Sequence, residues 1–73
     1  MTETITIRSE PIELTQLLKF AGVAESGGQA KVAVHNGEVR VNGVVETQAR
    51  RKLFAGAQVQ FGERTLVVKV ASA

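Results

Sequence analysis

Residues 26–43 read SGGQAKVAVHNGEVRVNG, and this stretch decides the fold. Ser26 is a good helix N-cap, and Gln29 three residues later is placed to complete a capping box, so a helix is predicted to follow. Asn36-Gly37 ends that helix because both residues tolerate the left-handed backbone of a helix C-terminus. Valines then alternate with polar residues up to Asn42-Gly43, a strong hairpin signal. The stretch therefore predicts a helix followed by a β-hairpin.

The flanking segments predict one more helix and further strands. Apolar residues from Leu14 recur at i, i+3, i+4 and i+7, which indicates a first helix that stops at Gly22. Alternating or apolar runs predict strands at residues 4–7, 39–41, 44–45, 58–61 and 64–70. The last of these has consecutive apolar residues at Leu66–Val68, so we expect it to be covered on both faces. The order β-α-α-β-β-β-β indicates the α+β class, with two short helices packed on a small, mostly antiparallel sheet.

The composition favours a single small domain that spans residues 1–73. The chain has 73 residues, of which 44% are hydrophobic, and it contains no cysteine. This length is too short for two separate cores, and the lack of cysteine excludes a disulfide scaffold, a thiolate nucleophile and a cysteine-based zinc site. Residues 1–8 do not resemble a signal peptide, and no stretch approaches about 18 apolar residues. We expect a cytoplasmic protein that is neither exported nor membrane-spanning.

Catalysis is not expected, because few titratable side chains can converge in one pocket. His35 is the one histidine of the chain, so it has no partner for a catalytic triad or a histidine metal site. Glu10 and Glu13 precede the first helix, where they favour its positive end. Gly27-Gly28 lacks the Gly-Lys-Ser/Thr sequence of a nucleotide-phosphate loop. We therefore predict no enzyme activity, no cofactor, no metal and no small-molecule substrate.

Positive charge is concentrated in the middle of the chain. The formal net charge is +2, but residues 27–52 hold five basic residues against two acidic ones. Lys31 lies in the second predicted helix, Arg40 in the hairpin, and Arg50-Arg51-Lys52 forms a run in a predicted loop. A basic segment on a nearly neutral chain indicates a docking face for a polyanion, and ordinary solvated surface charge is the alternative.

The second helix is predicted to present a basic face. Gly27, Lys31 and His35 are spaced four residues apart, whereas Ala30 and Val34 belong to an apolar stripe. Each glycine in the first turn costs up to ~1 kcal/mol of helix propensity relative to alanine. Either the bare backbone amides at the helix start approach a phosphate, or the glycines shape a tight turn between the helices. The sequence leaves both explanations open.

Two segments, SGGQAK at 26–31 and NGEVRVNG at 36–43, resemble the S4 RNA-binding domain. More narrowly, they are similar to small stand-alone bacterial S4-domain proteins whose second helix opens with Ser-Gly-Gly-x-Ala-Lys. The likeness covers about residues 12–59 and includes LLKFAG at 17–22, VET at 45–47 and RKL at 51–53. The resemblance implies an αL motif, in which two helices and a hairpin form an L-shaped surface that binds structured RNA, often ribosomal or transfer RNA, without catalysis.

The resemblance also implies which residues face RNA. They are Ser26 and Gln29 at the helix start, Lys31 and His35 along the helix, Arg40 and Asn42 on the hairpin, and Arg50, Arg51 and Lys52 in the loop. The chain departs from the subgroup at Gln48-Ala49-Arg50, where Arg-Arg-Gly is common, and Arg50 restores part of the lost charge. Ala55-Gly56-Ala57 stands where Pro-Gly-Asp is usual. These departures bear on affinity more than on the fold.

We predict a monomer that binds the shape and phosphate backbone of structured RNA with little sequence preference. The chain has no tyrosine or tryptophan, and Phe20, Phe54 and Phe61 are expected in the core, so a stacking platform for single strands is not expected. A sulfur-carrier-like module is an alternative because such carriers share the Val-Asn-Gly hairpin, although they end in Gly-Gly and this chain ends in Val-Ala-Ser-Ala. A protein–protein adaptor that uses the sheet edge is another alternative.

Overall fold

The computed structural model describes residues 2–71, in which there are two helices and seven strands. Met1, Ser72 and Ala73 lie outside the described residues, so the last two positions of the C-terminal Val-Ala-Ser-Ala segment do too. The helices are α1 (Leu14–Phe20) and α2 (Gly27–His35), and the strands are β1 (Thr2–Ile7), β2 (Ile12–Glu13), β3 (Val39–Val41), β4 (Val44–Val45), β5 (Lys52–Leu53), β6 (Gln58–Phe61) and β7 (Arg64–Val70). Neither helix within residues 2–71 has the length and apolar character needed to cross a membrane.

The main sheet has five strands in the order β1-β7-β6-β3-β4. Strand β3 pairs antiparallel with β4 and β6, and β6 pairs antiparallel with β7. Strand β1 lies parallel to β7, which is possible because the rest of the domain supplies the long connection that parallel strands require. The predicted α+β class, with two helices on a mostly antiparallel sheet, is confirmed.

A two-stranded ribbon formed by β2 and β5 was not predicted. Ile12 pairs with Leu53 and Glu13 with Lys52, in antiparallel register. Each strand has two residues, which is too short to show an alternating pattern. The ribbon corrects the prediction of a loop at Lys52, because pairing with the residues just before α1 draws this position into a strand.

The segment just before β5 is hydrogen-bonded to the first turn of α1. The backbone N–H of Leu14 donates to the carbonyl of Arg51 at 2.8 Å, and that of Thr15 donates to the carbonyl of Ala49 at 3.2 Å. The first N–H groups of a helix lack partners inside the helix, so these carbonyls satisfy them. The basic run Arg50-Arg51-Lys52 is therefore attached to the start of α1.

The hydrophobic core lies between the two helices and the inner face of the main sheet. It contains the predicted stripe of α1, the predicted stripe of α2 and alternate residues of the central strands, including Leu14, Leu17, Leu18, Ala30, Val34, Val39, Val41, Val59, Leu66 and Val68. Residues 2–71 contribute no buried polar or charged side chain to it. Burial of one leucine or valine contributes about 1.5–3 kcal/mol, so this cluster dominates the stability.

Strand β7 is fully covered on one face, not on both as expected. Leu66 and Val68 are buried, whereas Val67 is half-buried. Alternation along the strand turns Val67 to the outer face, where its neighbours across the sheet are Thr4 and Gln58. Leu66–Val68 are all apolar because β7 is a central strand, in which the outward-facing Val67 is partly shielded by the two neighbouring strands.

The prediction that the three phenylalanines enter the core is wrong for two of them. Phe20 is 66% exposed and Phe54 is 55% exposed, whereas Phe61 is partly buried against the core. Phe20 lies two positions after Leu18 and so faces away from the apolar stripe of α1. Phe54 directly follows the buried Leu53, so alternation directs it outward. Two aromatic rings are consequently available at the surface.

Arg64 connects three elements of the fold through hydrogen bonds. Its guanidinium donates to both carboxylate oxygens of Glu3, at 2.7 and 2.8 Å, and to the carbonyl of Ala21 at 3.0 Å. The hydrogen bond from Arg64 lowers the pKa of Glu3, and the same bond raises the pKa of Arg64. Arg64 thus joins β1, β7 and the end of α1, and its charge is used within the fold.

Candidate nucleic-acid interface

The start of α2 is built largely as predicted. The Ser26 hydroxyl accepts the N–H of Gln29 at 3.1 Å, as an N-cap should. The Gln29 side-chain oxygen accepts the N–H of Glu25 at 2.6 Å, which is one residue before the position that a capping box predicts. Both side chains are exposed, but their oxygens hold the helix start. A ligand would therefore meet the hydroxyl proton of Ser26 and the amide nitrogen of Gln29.

The two glycines at the start of α2 are required neither by the backbone conformation nor by packing. They lie inside the helix, and the positive φ of the connection between the helices falls at Gly22 instead. A Cβ at Gly27 would lie 4.0 Å from Cδ of Lys19, and one at Gly28 would lie 3.9 Å from Oγ of Ser26. Both are ordinary contacts, so a turn-shaping role does not account for these glycines. The fold therefore leaves the presence of both glycines unexplained.

Lys31 and His35 lie on the exposed side of α2, as predicted. The end of this helix lies next to the segment that leads to the basic run, because the Cβ position of Gly37 is 3.7 Å from a methyl carbon of Val45. Residue 46 follows directly, and its N–H donates to the carbonyl of Val39 at 2.9 Å. The C-terminal end of α2 and the start of the 46–52 segment are therefore neighbours.

Three of the predicted site residues line one concave surface. A cavity of about 330 Å³ is lined by Asn42, Arg51, Lys52 and Phe54, together with the turn at residues 55–57. We call this surface the basic groove. It joins the tip of the β3–β4 hairpin to the basic run, although Asn42 and Arg51 are nine positions apart in the sequence.

Arg51 is held at the basic groove by Glu46. Its Nη1 donates to a carboxylate oxygen of Glu46, and the other oxygen accepts the N–H of Gln48 at 3.0 Å. These interactions, chiefly the bond from Gln48, lower the pKa of Glu46 and keep it ionised. A guanidinium has five N–H donors, and the Arg51 side chain is 45% exposed. Arg51 is thus fixed in place while donors remain for a ligand.

Arg50 and Lys52 differ in their pairing. The Nε of Arg50 lies 3.4 Å from a carboxylate oxygen of Glu13, and the Arg50 side chain is 86% exposed. Exposed pairs of this kind contribute about 0–1 kcal/mol, so a phosphate can replace the carboxylate at little cost. Lys52 is exposed, and no carboxylate in the described part of the chain forms an ion pair with it.

Asn42 has the turn-forming role that its hairpin position predicts. Its φ is 52°, its N–H donates to the carbonyl of Gln58 at 2.7 Å, and its Oδ1 accepts the N–H of Gln58 at 3.0 Å. The side-chain oxygen is therefore occupied by the fold. The amide nitrogen is the group that Asn42 offers at the basic groove.

The structure does not bring Arg40 to the basic groove. Val39 and Val41 are buried on the inner face of the sheet, so Arg40 points to the outer face, opposite Gln60. There it lines a separate cavity with Glu38, Gln60 and Gly62. Arg40 and the basic groove thus belong to two different surfaces.

Two residues of this region were missed by the sequence reasoning. Phe54 lines the basic groove, and no sequence signal placed it there, because the two-residue strand β5 before it is too short to show alternation. Lys19 lies across the start of α2, where its Cδ approaches Gly27. Its aliphatic chain lies beside the first residue of that helix.

Comparison with known proteins places these features in context. The S4 domain family matches residues 5–69. The "Putative RNA-binding protein YbcJ" of Escherichia coli (strain K12) is 47% identical over 57 residues, covering 78% of this chain and 81% of that protein. The "Probable ribosome maturation protein RlbA" of Bacillus subtilis (strain 168) is 42% identical over 60 residues, covering 82% and 84%. The solution structure of YbcJ from E. coli, described as revealing an αL motif involved in RNA binding, has a TM-score of 0.69 at 45% identity and covers 93% of this chain and 86% of that one.

Proposed function

The chain belongs to the S4 domain family, and from this membership we propose that it binds RNA and does not catalyse a reaction. The observation that carries the proposal is the basic groove, where Asn42, Arg51 and Lys52 line one concave surface. Arginine and lysine donate to phosphate oxygens, and such contacts supply most of the affinity of nucleic-acid binding. The name of YbcJ agrees with a role in RNA binding.

The start of α2 supplies a second point of contact with RNA. The free backbone amides of Gly27 and Gly28 lie at the positive end of a nine-residue helix, and Lys19 lies beside them. A phosphate can approach the amide of Gly28 closely because this residue is exposed and has no side chain. Lys31 and His35 extend this positive surface along the helix.

The proposed partner is folded RNA of the ribosomal or transfer type, bound by a cytoplasmic monomer that acts as one domain. The name of RlbA refers to ribosome maturation, which supports a ribosomal element. The binding surface spans a helix, a hairpin and a loop, which suits recognition of a shape rather than of a sequence. Arg50, Arg51 and Lys52 supply the phosphate contacts of the loop.

A protein–protein adaptor is the second candidate function. It is favoured by β4, an edge strand with two exposed valines, Val44 and Val45. An exposed apolar edge strand can pair with a strand of another chain. Capture of one dominant protein that survives ribonuclease treatment would favour the adaptor, whereas loss of the captured material on ribonuclease treatment favours RNA binding.

The test of RNA binding is its salt dependence. If Lys31, Arg50, Arg51 and Lys52 contact about four phosphates, the log–log slope of affinity against salt is expected to be roughly −3 to −4. Affinity for a folded RNA, measured by fluorescence anisotropy, should then fall about 60- to 250-fold between about 50 and 200 mM salt. A flat profile contradicts the proposal. Because Arg40 lies on another surface, the slope of the Arg40→Gln variant should equal that of the wild type, and a slope smaller by about one unit would identify Arg40 as a further phosphate contact.

Replacement of Gly28 by alanine is expected to separate stability from binding. Gly28→Ala should raise the free energy of unfolding by about 0.5–1 kcal/mol, because alanine favours the helix and its Cβ fits. The same methyl group hinders approach to the amides, so RNA affinity should fall about two- to fivefold, the size of a helix-terminus interaction. Urea unfolding and RNA anisotropy measure the two effects.

The matched control is Val32→Ala, at an exposed position of the same helix. It also raises helix propensity, but it leaves the start of the helix unchanged. Equal affinities of Gly28→Ala and the wild type would show that the glycines have no part in ligand approach.

A further inference from the structure

We propose that the basic groove takes one unpaired RNA base, which stacks on Phe54 while the adjoining phosphates contact Arg51 and Lys52. This inference rests on the proposed function and specifies the part of the RNA that enters the groove. The occupant is a nucleotide in a loop, a bulge or a free end, since a base inside a duplex has no free face.

Phe54 is an exposed aromatic ring within a basic surface. It is 55% exposed, and it lines the same cavity as Asn42, Arg51 and Lys52. A single exposed apolar residue on a protein surface is ordinary. An exposed ring on a concave surface that also holds two cations is the combination by which proteins bind single-stranded nucleic acid, because every base has a face that stacks on an aromatic ring.

The local sequence places the ring and the cation on one side of the chain. Lys52, Leu53 and Phe54 alternate along an extended segment, and Leu53 is buried in the core. Lys52 and Phe54 therefore point outward together, about 7 Å apart along the strand. A nucleotide presents its base and its phosphate over a similar distance. One nucleotide can thus contact both side chains at once.

The backbone around Phe54 is held in place before any ligand binds. The N–H groups of residues 55–57 donate to a carboxylate oxygen of Glu10 at 2.6 Å, to the carbonyl of Val68 at 2.9 Å and to the carbonyl of Phe54 at 3.1 Å. Preorganised contact residues reduce the entropy lost on binding. The backbone that carries the ring is therefore fixed and not part of a loose loop.

The groove also offers polar groups that suit the edge of a base. The Oδ1 of Asn42 is occupied by the N–H of Gln58, which leaves the amide nitrogen as a donor to a base oxygen or nitrogen. Arg51 retains donors beyond the one that Glu46 accepts. The volume of about 330 Å³ lies at the lower end of the range of small-ligand sites, so the groove has room for a single base.

Phe20 provides the comparison within the same chain. It is more exposed than Phe54, at 66%, and it lines two other cavities, one with Lys19 and one with Arg8. It does not line the basic groove. The two rings differ in that Phe54 shares one concave surface with two cations, whereas each cavity at Phe20 holds one.

The experiment compares two RNA hairpins that differ in one bulged nucleotide in the stem. We expect the wild-type chain to bind the bulged hairpin more tightly than the paired one. Phe54→Leu keeps the apolar bulk and removes the aromatic face. It should weaken binding of the bulged hairpin about five- to hundredfold, the size of one base–aromatic stack, and leave binding of the paired hairpin nearly unchanged. Phe20→Leu is the matched control and should affect neither hairpin.

A second readout uses fluorescence, because the chain contains no tryptophan or tyrosine. In the Phe54→Trp variant, the emission should be quenched by the bulged hairpin and much less by the paired one. Thr4→Trp is the control, since Thr4 is exposed on β1 at the far edge of the sheet from the β3–β4 hairpin. Its emission should not respond to either RNA.

The outcomes distinguish a failure of RNA binding from a failure of the base site alone. If the wild-type chain binds neither hairpin, RNA binding itself fails. If it binds both with steep salt dependence while Phe54→Leu binds like the wild type, RNA binding stands and the base site is overturned. If the Phe54→Trp emission responds to a ribonuclease-treated protein fraction and not to RNA, the groove is a protein-binding site and the base site is likewise overturned.

Discussion

Replacement of both Arg51 and Lys52 by glutamine is expected to weaken the binding of folded RNA at least about a hundredfold. Each hydrogen bond to a charged group contributes about 1.5–3 kcal/mol, and two of them exceed the ~2.8 kcal/mol that a hundredfold change requires. Both side chains line the basic groove, and glutamine keeps much of their length. Anisotropy titrations at fixed salt measure the loss of RNA affinity, and circular dichroism checks that the domain still folds.

The control for this variant removes the same amount of charge elsewhere. Arg8→Gln combined with Lys69→Gln also lowers the formal net charge from +2 by two, to zero, and neither residue lines the basic groove. Its affinity should stay near that of the wild type. An equal loss in both double variants would mean that total charge, not the groove, binds RNA. The groove variant should lose affinity similarly for RNAs of different sequence, because phosphate contacts carry no sequence information.

Leu17→Ala is expected to produce the largest loss of stability. Leu17 is fully buried in the core, and truncation of such a leucine costs about 2.7–5 kcal/mol through lost burial and the cavity left behind. A 73-residue domain has a free energy of unfolding of about 4–11 kcal/mol at the usual value per residue. The variant should therefore lose a large share of its free energy of unfolding. The loss appears as a lower urea concentration at the midpoint of unfolding, with an unchanged m-value.

Thr15→Ala on the same helix provides the reference for that measurement. Thr15 is partly exposed, and the bond that its backbone N–H makes to Ala49 does not involve the side chain. Thr15→Ala should change the free energy of unfolding by no more than about 0.5 kcal/mol. A cost below 1 kcal/mol for Leu17→Ala would contradict the packing of α1 in the core.

The parts of the fold that depend on local chemistry were predictable from the sequence. Helix α2 begins after Ser26 and ends before Asn36-Gly37 because cap residues act within one turn of the helix. The β3–β4 hairpin follows from Asn42-Gly43 in the same way. The β2–β5 ribbon and the parallel β1–β7 pair were not predicted, because they join residues about 40 and about 60 positions apart, which local patterns do not report.

The candidate site was predicted in part. Charge counting and the SGGQAK motif identified the cations, but only the fold shows that Arg51 and Lys52 share a groove with Asn42 and that Arg40 faces another surface. The exposure of Phe54 was missed because a phenylalanine was assigned to the core by its hydrophobicity alone. The position of a side chain relative to its neighbours decides its exposure, and that position depends on the strand β5, which the sequence did not reveal.

The hydrogen bonds from the first turn of α1 to the carbonyls of Ala49 and Arg51 attach the basic run to the start of that helix. We therefore expect RNA binding and opening of this helical turn to be coupled. When the first turn of α1 opens, the guanidinium of Arg51 is no longer held in position. The apparent affinity for RNA is then proportional to the fraction of molecules in which this turn is folded. Conversely, bound RNA shifts the population towards the closed form. We therefore expect bound RNA to protect the first turn of α1 from opening, although that turn does not line the basic groove.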